Sequence, residues 1–376
     1  MEESMEFSIS KETFTKALQK VQGIVEKRNT MPILSNALIE ASNGMLHVTA
    51  TDLEVGMKSS YPVNITKEGK ITVSAKKIFE IIKELSDEEI TFSTKENDWI
   101  EIHCGKAHFN IVGLSPDEFP YFPKINDNIF VNISNSFLNE MIEKTAYAIC
   151  SDETKFNLNG IFIKAADEGG KSIIRMVATD GHRLSVAEKE FEGAISSELN
   201  KGVIFPKKGI YELKKITEEE NGDILMGFMD NSAVIKKDNT VIVMRLIDGE
   251  FPDYTKVIPA NNDKKVTVPR EALLHSLRRM AILSSEKFKG IKLDVQSGSI
   301  EISSSNPELG DAREEQEVDY DSTPLSVRFN ARYLIDVLTV LRDDKVELNL
   351  RDELSPIIMK ATGKDDFISV IMPMRL

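Results

Sequence analysis

ISKETFTKALQKV (9–21), ISNSFLNEMIEKT (133–145) and VPREALLHSLRRM (268–280) align without a gap, and this triple decides the architecture. Each copy has a β-like lead-in, a polar or proline start, and then apolar residues at helical spacing. These are Phe14, Ala17, Leu18 and Val21 in the first copy and Leu138, Met141, Ile142 and Thr145 in the second. The third has Leu273, Ser276, Leu277 and Met280. A second triple follows: SAKKIFEIIKEL (74–85), FPKKGIYELKKI (205–216) and NARYLIDVLTVL (330–341). Setting Ala75, Pro206 and Ala331 in register groups Phe79, Ile210 and Ile335, then Ile82, Leu213 and Leu338, then Leu85, Ile216 and Leu341. Between these helices ATD recurs at 50–52 and 178–180, with SSN at 304–306 as a looser third copy. Three similar units of about 125 residues therefore account for the chain.

Between the helices the text is β. ITFSTKENDWIEIHC (90–104), NGIFIKAADEGGKSIIRMVATD (159–180) and VELNLRDELSPIIMKAT (346–362) alternate or cluster β-branched and apolar residues around Gly, Asn and Asp turns. The expected class is α+β, with two helices per unit packed on antiparallel sheet. Short polar stretches near 126–128 and 261–264 set the expected domains at 1–127, 128–262 and 263–376.

The chain has 376 residues, 41% hydrophobic and 29% charged, which suits two or three globular domains. It has no apolar run of the roughly 18 residues that a membrane span needs. MEESMEFSIS (1–10) is acidic and polar, so it does not read as a secretory signal, and Met5 offers an alternative start. Cys104 and Cys150 have no CxxC partner and read as thiols of a reducing cytoplasm.

Net charge is −14, with 61 acidic residues against 47 basic ones. The six candidate helical windows (9–28, 73–86, 133–150, 204–217, 268–285 and 329–342) invert that balance, with 18 basic residues against 9 acidic. The rest of the chain holds 29 against 52. On the helical wheel Lys16, Lys20 and Lys27 lie opposite the Phe14/Leu18/Val21 stripe. Lys207, Lys208, Lys214 and Lys215 lie opposite Ile210, Leu213 and Ile216, and His275, Arg278 and Arg279 lie opposite Leu273, Leu277 and Met280. A solvated lysine face is ordinary for one helix. Its repetition on an acidic background points to phosphate attraction without base reading. Helices packed about 8–10 Å apart would leave a lumen of roughly 7 Å if six closed a circle, and roughly 25 Å if twelve did. Only twelve admit duplex DNA, and a head-to-tail contact closing after two copies supplies them.

ATDGHRL (178–184), DGEFPDY (248–254), ILSSEKFKGIKL (282–293), FNARYLIDVL (329–338) and MPMRL (372–376) together resemble the signatures of the bacterial β sliding clamps, the processivity subunits of DNA polymerase III. NTMPILSNALIE (29–40) and LSPDEFP (114–120) add to the resemblance, which runs end to end. It implies a head-to-tail homodimer closed into a ring, with helices lining the hole and sheets outside. It also implies partners that insert a short peptide, often of the QLxLF type, into a pocket. One part of that pocket is expected at Leu158, Thr179, Gly181, His182, Arg183, Leu184, Pro252, Val257, Val370 and Met372. The other uses Asn330, Tyr333, Pro373, Met374 and Arg375, while ELSP around 354–356 departs from the family pattern. DNA contacts carry over to Arg28, Lys207 and Lys208, and subunit contacts to Phe109 and Ile111 on one side and Ile282 and Leu283 on the other. The implied partners are double-stranded DNA, a second copy, the replicative polymerase, the clamp loader and other proteins carrying the peptide motif. Leu, Val and Met give such a groove depth, with His182, Arg183, Asn330 and Arg375 as polar groups to orient the peptide.

No catalytic constellation emerges, so the chain is expected to need no cofactor and to catalyse nothing. Asp180–Gly181–His182 reads as a turn rather than part of a triad, because no nucleophile elbow accompanies it. GGKS (169–172) lacks the first glycine of a phosphate loop, where Ala165 stands. His103, Cys104 and His108 read as strand residues rather than metal ligands. A peptide-binding scaffold that never touches DNA and a His182-dependent hydrolase are the competing readings.

Overall fold

The computed structural model describes all residues except 1–3, 26–30, 87, 127–129, 219–221, 284–289 and 375–376. It resolves into two compact units, one of Met1–Asn135 with Tyr211–Leu246, the other of Ser136–Ile210 with Ile247–Leu376. Every strand pairing among the described residues is antiparallel, and helices accompany the sheets, which is the α+β class expected.

The helices among the described residues are α1 (Lys11–Val21), α2 (Ala75–Glu84), α3 (Asn135–Ala146), α4 (Ser197–Lys201), α5 (Lys207–Glu218), α6 (Arg270–Ala281) and α7 (Ala331–Val340). Six fall in the repeated segments. The short α4 has no counterpart in the repeats; Ser196 caps its start and Gly202, at φ 91°, ends it. Ser10, Ser74 and Asn330 cap α1, α2 and α7 by accepting hydrogen bonds from the amides of Thr13, Lys77 and Arg332. The stripes read from the first triple are all buried. Their two polar members are satisfied there: Thr145 donates to the Met141 carbonyl at 2.8 Å, and Ser276 accepts from Gln316 at 2.7 Å. In the second triple one position is corrected. Phe79 and Ile335 are only half-buried, and Ile78 and Leu334 take the core position instead. The shift is confined to this position, since Ile82, Leu213 and Leu338, and then Leu85, Ile216 and Leu341, stay buried as grouped, although α5 begins at Lys207, one residue after Pro206, and α2 and α7 at Ala75 and Ala331 themselves. Ile78, Ile210 and Leu334 are the fourth residues of their helices, and all three are buried.

In the first unit a five-stranded sheet runs in the order Asn64–Lys67, Glu6–Ser10, Glu89–Thr94, Trp99–Cys104, Ala107–Val112. Its core holds Phe7 and Phe92 stacked at 4.9 Å, with Phe14 of α1 edge-on to both. An eight-stranded sheet completes the unit, and strands of two repeats meet within it. Thr240–Arg245 pairs with Val55–Pro62, from Thr240↔Ser59 to Met244↔Val55. The second unit repeats the device: Arg183–Glu190 pairs with Phe367–Ile371, from Arg183↔Ile371 to Ala187↔Phe367. The middle repeat thus lends some strands to the sheet of the first repeat and others to the sheet of the third. Compact units in space and repeats in sequence do not coincide.

The ATD copies close equivalent turns. Thr51 accepts from the Leu53 amide at 3.0 Å, and Thr179 from the Gly181 amide at 3.2 Å. Asp52 then receives the amides of Glu54 and Val55, as Asp180 receives those of His182 and Arg183. The residue after the aspartate takes positive φ in both turns, 77° at Leu53 and 90° at Gly181. Leucine there costs about 1–2 kcal/mol, of which roughly 0.4–1 is offset because glycine loosens the unfolded chain. Leu53→Gly is therefore expected to stabilise the protein by about 0.5–1 kcal/mol, read as a higher urea midpoint. A lower midpoint would show that the exposed Leu53 side chain contributes more than its backbone costs.

Candidate partner-binding surfaces

The second unit carries an apolar shelf. Strands Lys171–Thr179, Arg183–Glu190 and Phe367–Ile371 bring Val177, Leu184, Val186 and Val370 into one buried cluster. Register places Thr179 opposite Leu184, and Leu184 opposite Val370, so three expected site residues lie in a row across the sheet. Phe162, Phe251, Tyr254 and Ile258 pack on this cluster and are only partly covered. Phe162 and Phe251 stack at 5.1 Å, with Tyr254 edge-on to Phe251 at 6.5 Å. Tyr254 opens a helical turn, Tyr254–Val257, capped by Asp253. Pro252 and Val257 stand exposed beside it, Val257 at 51%. Leu158 closes the turn Phe156–Leu158 and is half-buried.

Beside the shelf lies Arg183. Expected as one of the polar groups that orient a bound peptide, it is 9% exposed and its guanidinium is engaged inside the fold. It donates to Asp180 at 3.1 Å, to Asp336 of α7 at 2.6 Å, and to the Tyr147 carbonyl. Its guanidinium also lies over the rings of Tyr333, at 4.5 Å, and Tyr147, at 5.2 Å. Burial pushes the Tyr147 phenol up to about 12, and Tyr333 is also raised, by partial burial and then by the Asp180 charge. Both phenols therefore stay neutral, and Arg183 has its acceptors in Asp180, Asp336 and the Tyr147 carbonyl. Its role is to tie the turn 180–183 to α7 beneath the surface. Asn330 is engaged too, because its side-chain oxygen caps α7.

What remains on the surface is His182, Tyr333 and the tail. The rings of His182 and Tyr333 lie 6.5 Å apart at 23°. The Met372 amide donates to the His182 carbonyl at 2.9 Å, and the Met374 amide to the Arg328 carbonyl at 2.8 Å. Pro373 between them has no amide to donate, so the tail is pinned on either side of it. Met372 and Met374 are both exposed. Arg375 lies outside the described residues. Sequence reasoning missed Phe251 and Tyr254, although DGEFPDY already contained them. It also missed Tyr147 and Asp336, for which the sequence carries no local signal.

The basic residues divide by unit. In the first, Lys16, Lys20 and Lys215 line one depression with Met57 and Tyr61. Lys16 also pairs with Glu12, and Lys215 with Glu212, both at 2.6 Å. In the second, Lys207 donates to the Ser151 hydroxyl at 2.9 Å, and Lys208 is half-buried near the start of α5. Arg278 is exposed, with no ion pair among the described residues, whereas Arg279 holds Glu314 through two hydrogen bonds. That pairing keeps the Glu314 carboxyl below its usual range and neutralises Arg279 locally. Lys27 and Arg28 lie outside the described residues.

The residues expected at the subunit contact are partly exposed among the described residues. Ala107–Val112 is the last strand of its sheet, and its register sets Phe109 beside Ile102 and Ile111 beside Ile100. Ile100 and Ile102 are fully buried, but Phe109 on the same face is 37% exposed. The core-facing side of the sheet thus continues past its cover. In the second unit Ile282, just after α6, is 75% exposed, with Leu283 half-buried beside it.

Comparison with known proteins gives these surfaces a family. Family models of the DNA polymerase III beta subunit match residues 5–123 as its N-terminal domain, 132–253 as its central domain and 255–375 as its C-terminal domain. The beta sliding clamps of Pseudomonas putida and Caulobacter vibrioides are each 34% identical to the chain, over 99% of it and 100% of their own length. The sliding clamp of Bartonella birtlesii, solved bound to griselimycin, superposes with a TM-score of 0.93 at 33% identity, covering 99% of this chain and 100% of that one. The Pseudomonas aeruginosa DNA polymerase III subunit beta does so with a TM-score of 0.90 at 34% identity and the same coverage. With matches that span all three repeats in order, the chain belongs to the DNA polymerase III beta subunit family.

Proposed function

We propose that this chain is a DNA sliding clamp, a processivity factor that encircles duplex DNA and tethers the replicative polymerase and other replication and repair proteins. The observation that carries the reading is the segregation of charge: taken together, the six helical windows hold 18 basic residues against 9 acidic on a chain of net charge −14. A positive face held towards DNA attracts phosphate regardless of sequence. The three family-model domains are read as three clamp domains with the bounds 1–127, 128–262 and 263–376. Two copies joined head to tail would bury Phe109 and Ile111 of one against Ile282 and Leu283 of the other. The apolar shelf beside Val257, Met372 and Met374 would receive the partner peptide, with Thr179, Leu184 and Val370 below it, and Arg183 positioning the wall that carries His182 and Tyr333.

The protein works by tethering, without catalysis of its own. Asp180 gives its oxygens to the amides of His182 and Arg183 and to the Arg183 side chain, not to the His182 imidazole, so the pair lacks the alignment of a catalytic dyad. We place it in the cytoplasm. Both cysteines are unpaired and buried, and no helix among the described residues is long and apolar enough to cross a membrane.

Topology gives the most direct test. The protein, once loaded, should remain on circular DNA and be lost when the circle is cut. Replacing Ile282 and Leu283 by Ala, at about 2–5 kcal/mol for each residue buried in the contact, should give monomers in sedimentation and abolish that retention. Equal retention on linear DNA would overturn the ring, and an unchanged dimer would overturn the interface.

Charge reversal at Lys207, Lys208 and Arg278 should weaken initial association with DNA. It should also flatten the salt dependence, by a slope of about 0.9 for each phosphate that is no longer neutralised. An unaltered slope removes these residues from the DNA-facing surface.

Val257→Asp combined with Met372→Asp places charge on an exposed apolar rim. Affinity for a QLxLF-type peptide, followed by fluorescence anisotropy, should fall at least about tenfold, equivalent to about 1.4 kcal/mol, with no change in melting temperature. Undiminished binding would move the pocket elsewhere.

A further inference from the structure

Outside these surfaces, the hairpin of Trp99–Cys104 and Ala107–Val112 gathers three side chains of a different chemistry. Alternation along the first strand sets Ile100, Ile102 and Cys104 into the core and leaves Glu101 and His103 on the outer face. On the second strand His108 stands directly opposite His103. The two imidazoles stack at 4.2 Å with 9° between their planes. The Glu101 carboxylate faces both, at 3.8 Å from Nε2 of His103 and 3.7 Å from Nε2 of His108. Ligand atoms of all three lie within 4.8 Å of one another, and among the described residues no other group of three or more such side chains does so.

We propose that Glu101, His103 and His108 form a binding site for a divalent transition-metal ion of the zinc class. Two imidazoles and one carboxylate are a donor set that Zn²⁺ accepts, and three protein ligands leave a fourth position for water. Bonds of about 2.0–2.2 Å require the ligand atoms to close to roughly 3.3 Å. The stacked rings must also turn about their Cβ–Cγ bonds, so that both in-plane Nε2 lone pairs converge on one ion, and both histidines are exposed and free to turn. Cys104, adjacent in sequence, takes no part because it points to the core; Glu101 completes the set in its place. Lys95, whose ammonium lies 2.8 Å from Glu101, holds the cation's place and acts as a built-in competitor. The ligands come from two neighbouring strands, so a bound ion staples the last strand of the sheet to the strand beside it. The site rests on these three side chains alone and stands whether or not the opposite face of that strand meets a second copy.

Metal-free full-length protein titrated with ZnCl₂ by calorimetry should bind one ion per chain, and Co²⁺ should give the absorption of a tetrahedral site. His103→Ala with His108→Ala, or Glu101→Gln alone, should weaken binding at least tenfold, the lower bound set by losses seen even for outer-shell partners. Lys95→Met should tighten it. Mg²⁺, an oxygen-seeking ion, should not compete. All four positions are at least partly exposed, so circular dichroism and melting of the metal-free variants should match the parent. Absence of binding in the parent, or equal binding after the histidine substitutions, would overturn the site. Unchanged affinity in Lys95→Met would overturn the competition.

Discussion

Main-chain pairing between strands of different repeats is the interaction on which each unit depends. A sheet edge left open exposes a row of unpaired amides and carbonyls. Here Thr240–Arg245 closes the edge of Val55–Pro62, and Arg183–Glu190 closes that of Phe367–Ile371. Both pairings are antiparallel and five residues long. The two eight-stranded sheets exist because the middle repeat is divided between them. No repeat could be excised without exposing an edge and the apolar side chains alternating along it.

The second of these pairings also builds the proposed peptide site. Arg183 begins the strand that joins the two repeats, and its guanidinium extends to a helix of the third repeat. A buried charge is tolerated only when paired, and removing one partner of such a pair costs about 3–5 kcal/mol. With Asp180, Asp336 and two tyrosine rings around it, Arg183 holds the turn that presents His182 in one orientation. The tail 372–374 is then fixed by main-chain hydrogen bonds, which leave the methionine side chains free to adapt to different peptides. A rigid wall beside a compliant rim suits a site that must accept several partners.

Other edges of the molecule remain open, and their chemistry differs from face to face. Ala107–Val112 carries Phe109 and Ile111 on one side and His108 on the other. A single strand thus presents an apolar face suited to a second copy and an imidazole suited to a metal. The basic helices form the third kind of surface. Their charges are partly compensated within the fold, as Arg279 by Glu314, and Arg278 next to it is exposed, with no ion pair among the described residues.

Periodicity and turn residues were enough to place the six repeated helices, the antiparallel sheets and the threefold repetition, though not the short α4. A stripe such as Phe14, Ala17, Leu18 and Val21 needs only local spacing to declare its buried face. The Asp180–Gly181 turn was equally legible, because its hydrogen bonds run between residues two or three apart. The resemblance added the residues of the shelf and tail, though not their division of labour. Only tertiary structure decided that Arg183 lies inside, since its second carboxylate, Asp336, is 153 positions away. It likewise decided that Phe79 and Ile335 yield the core to Ile78 and Leu334, that the compact units cut across the repeats, and that His108 stands opposite His103. In each case the deciding partner lies on another strand or helix, and spacing along one element says nothing about what that element meets.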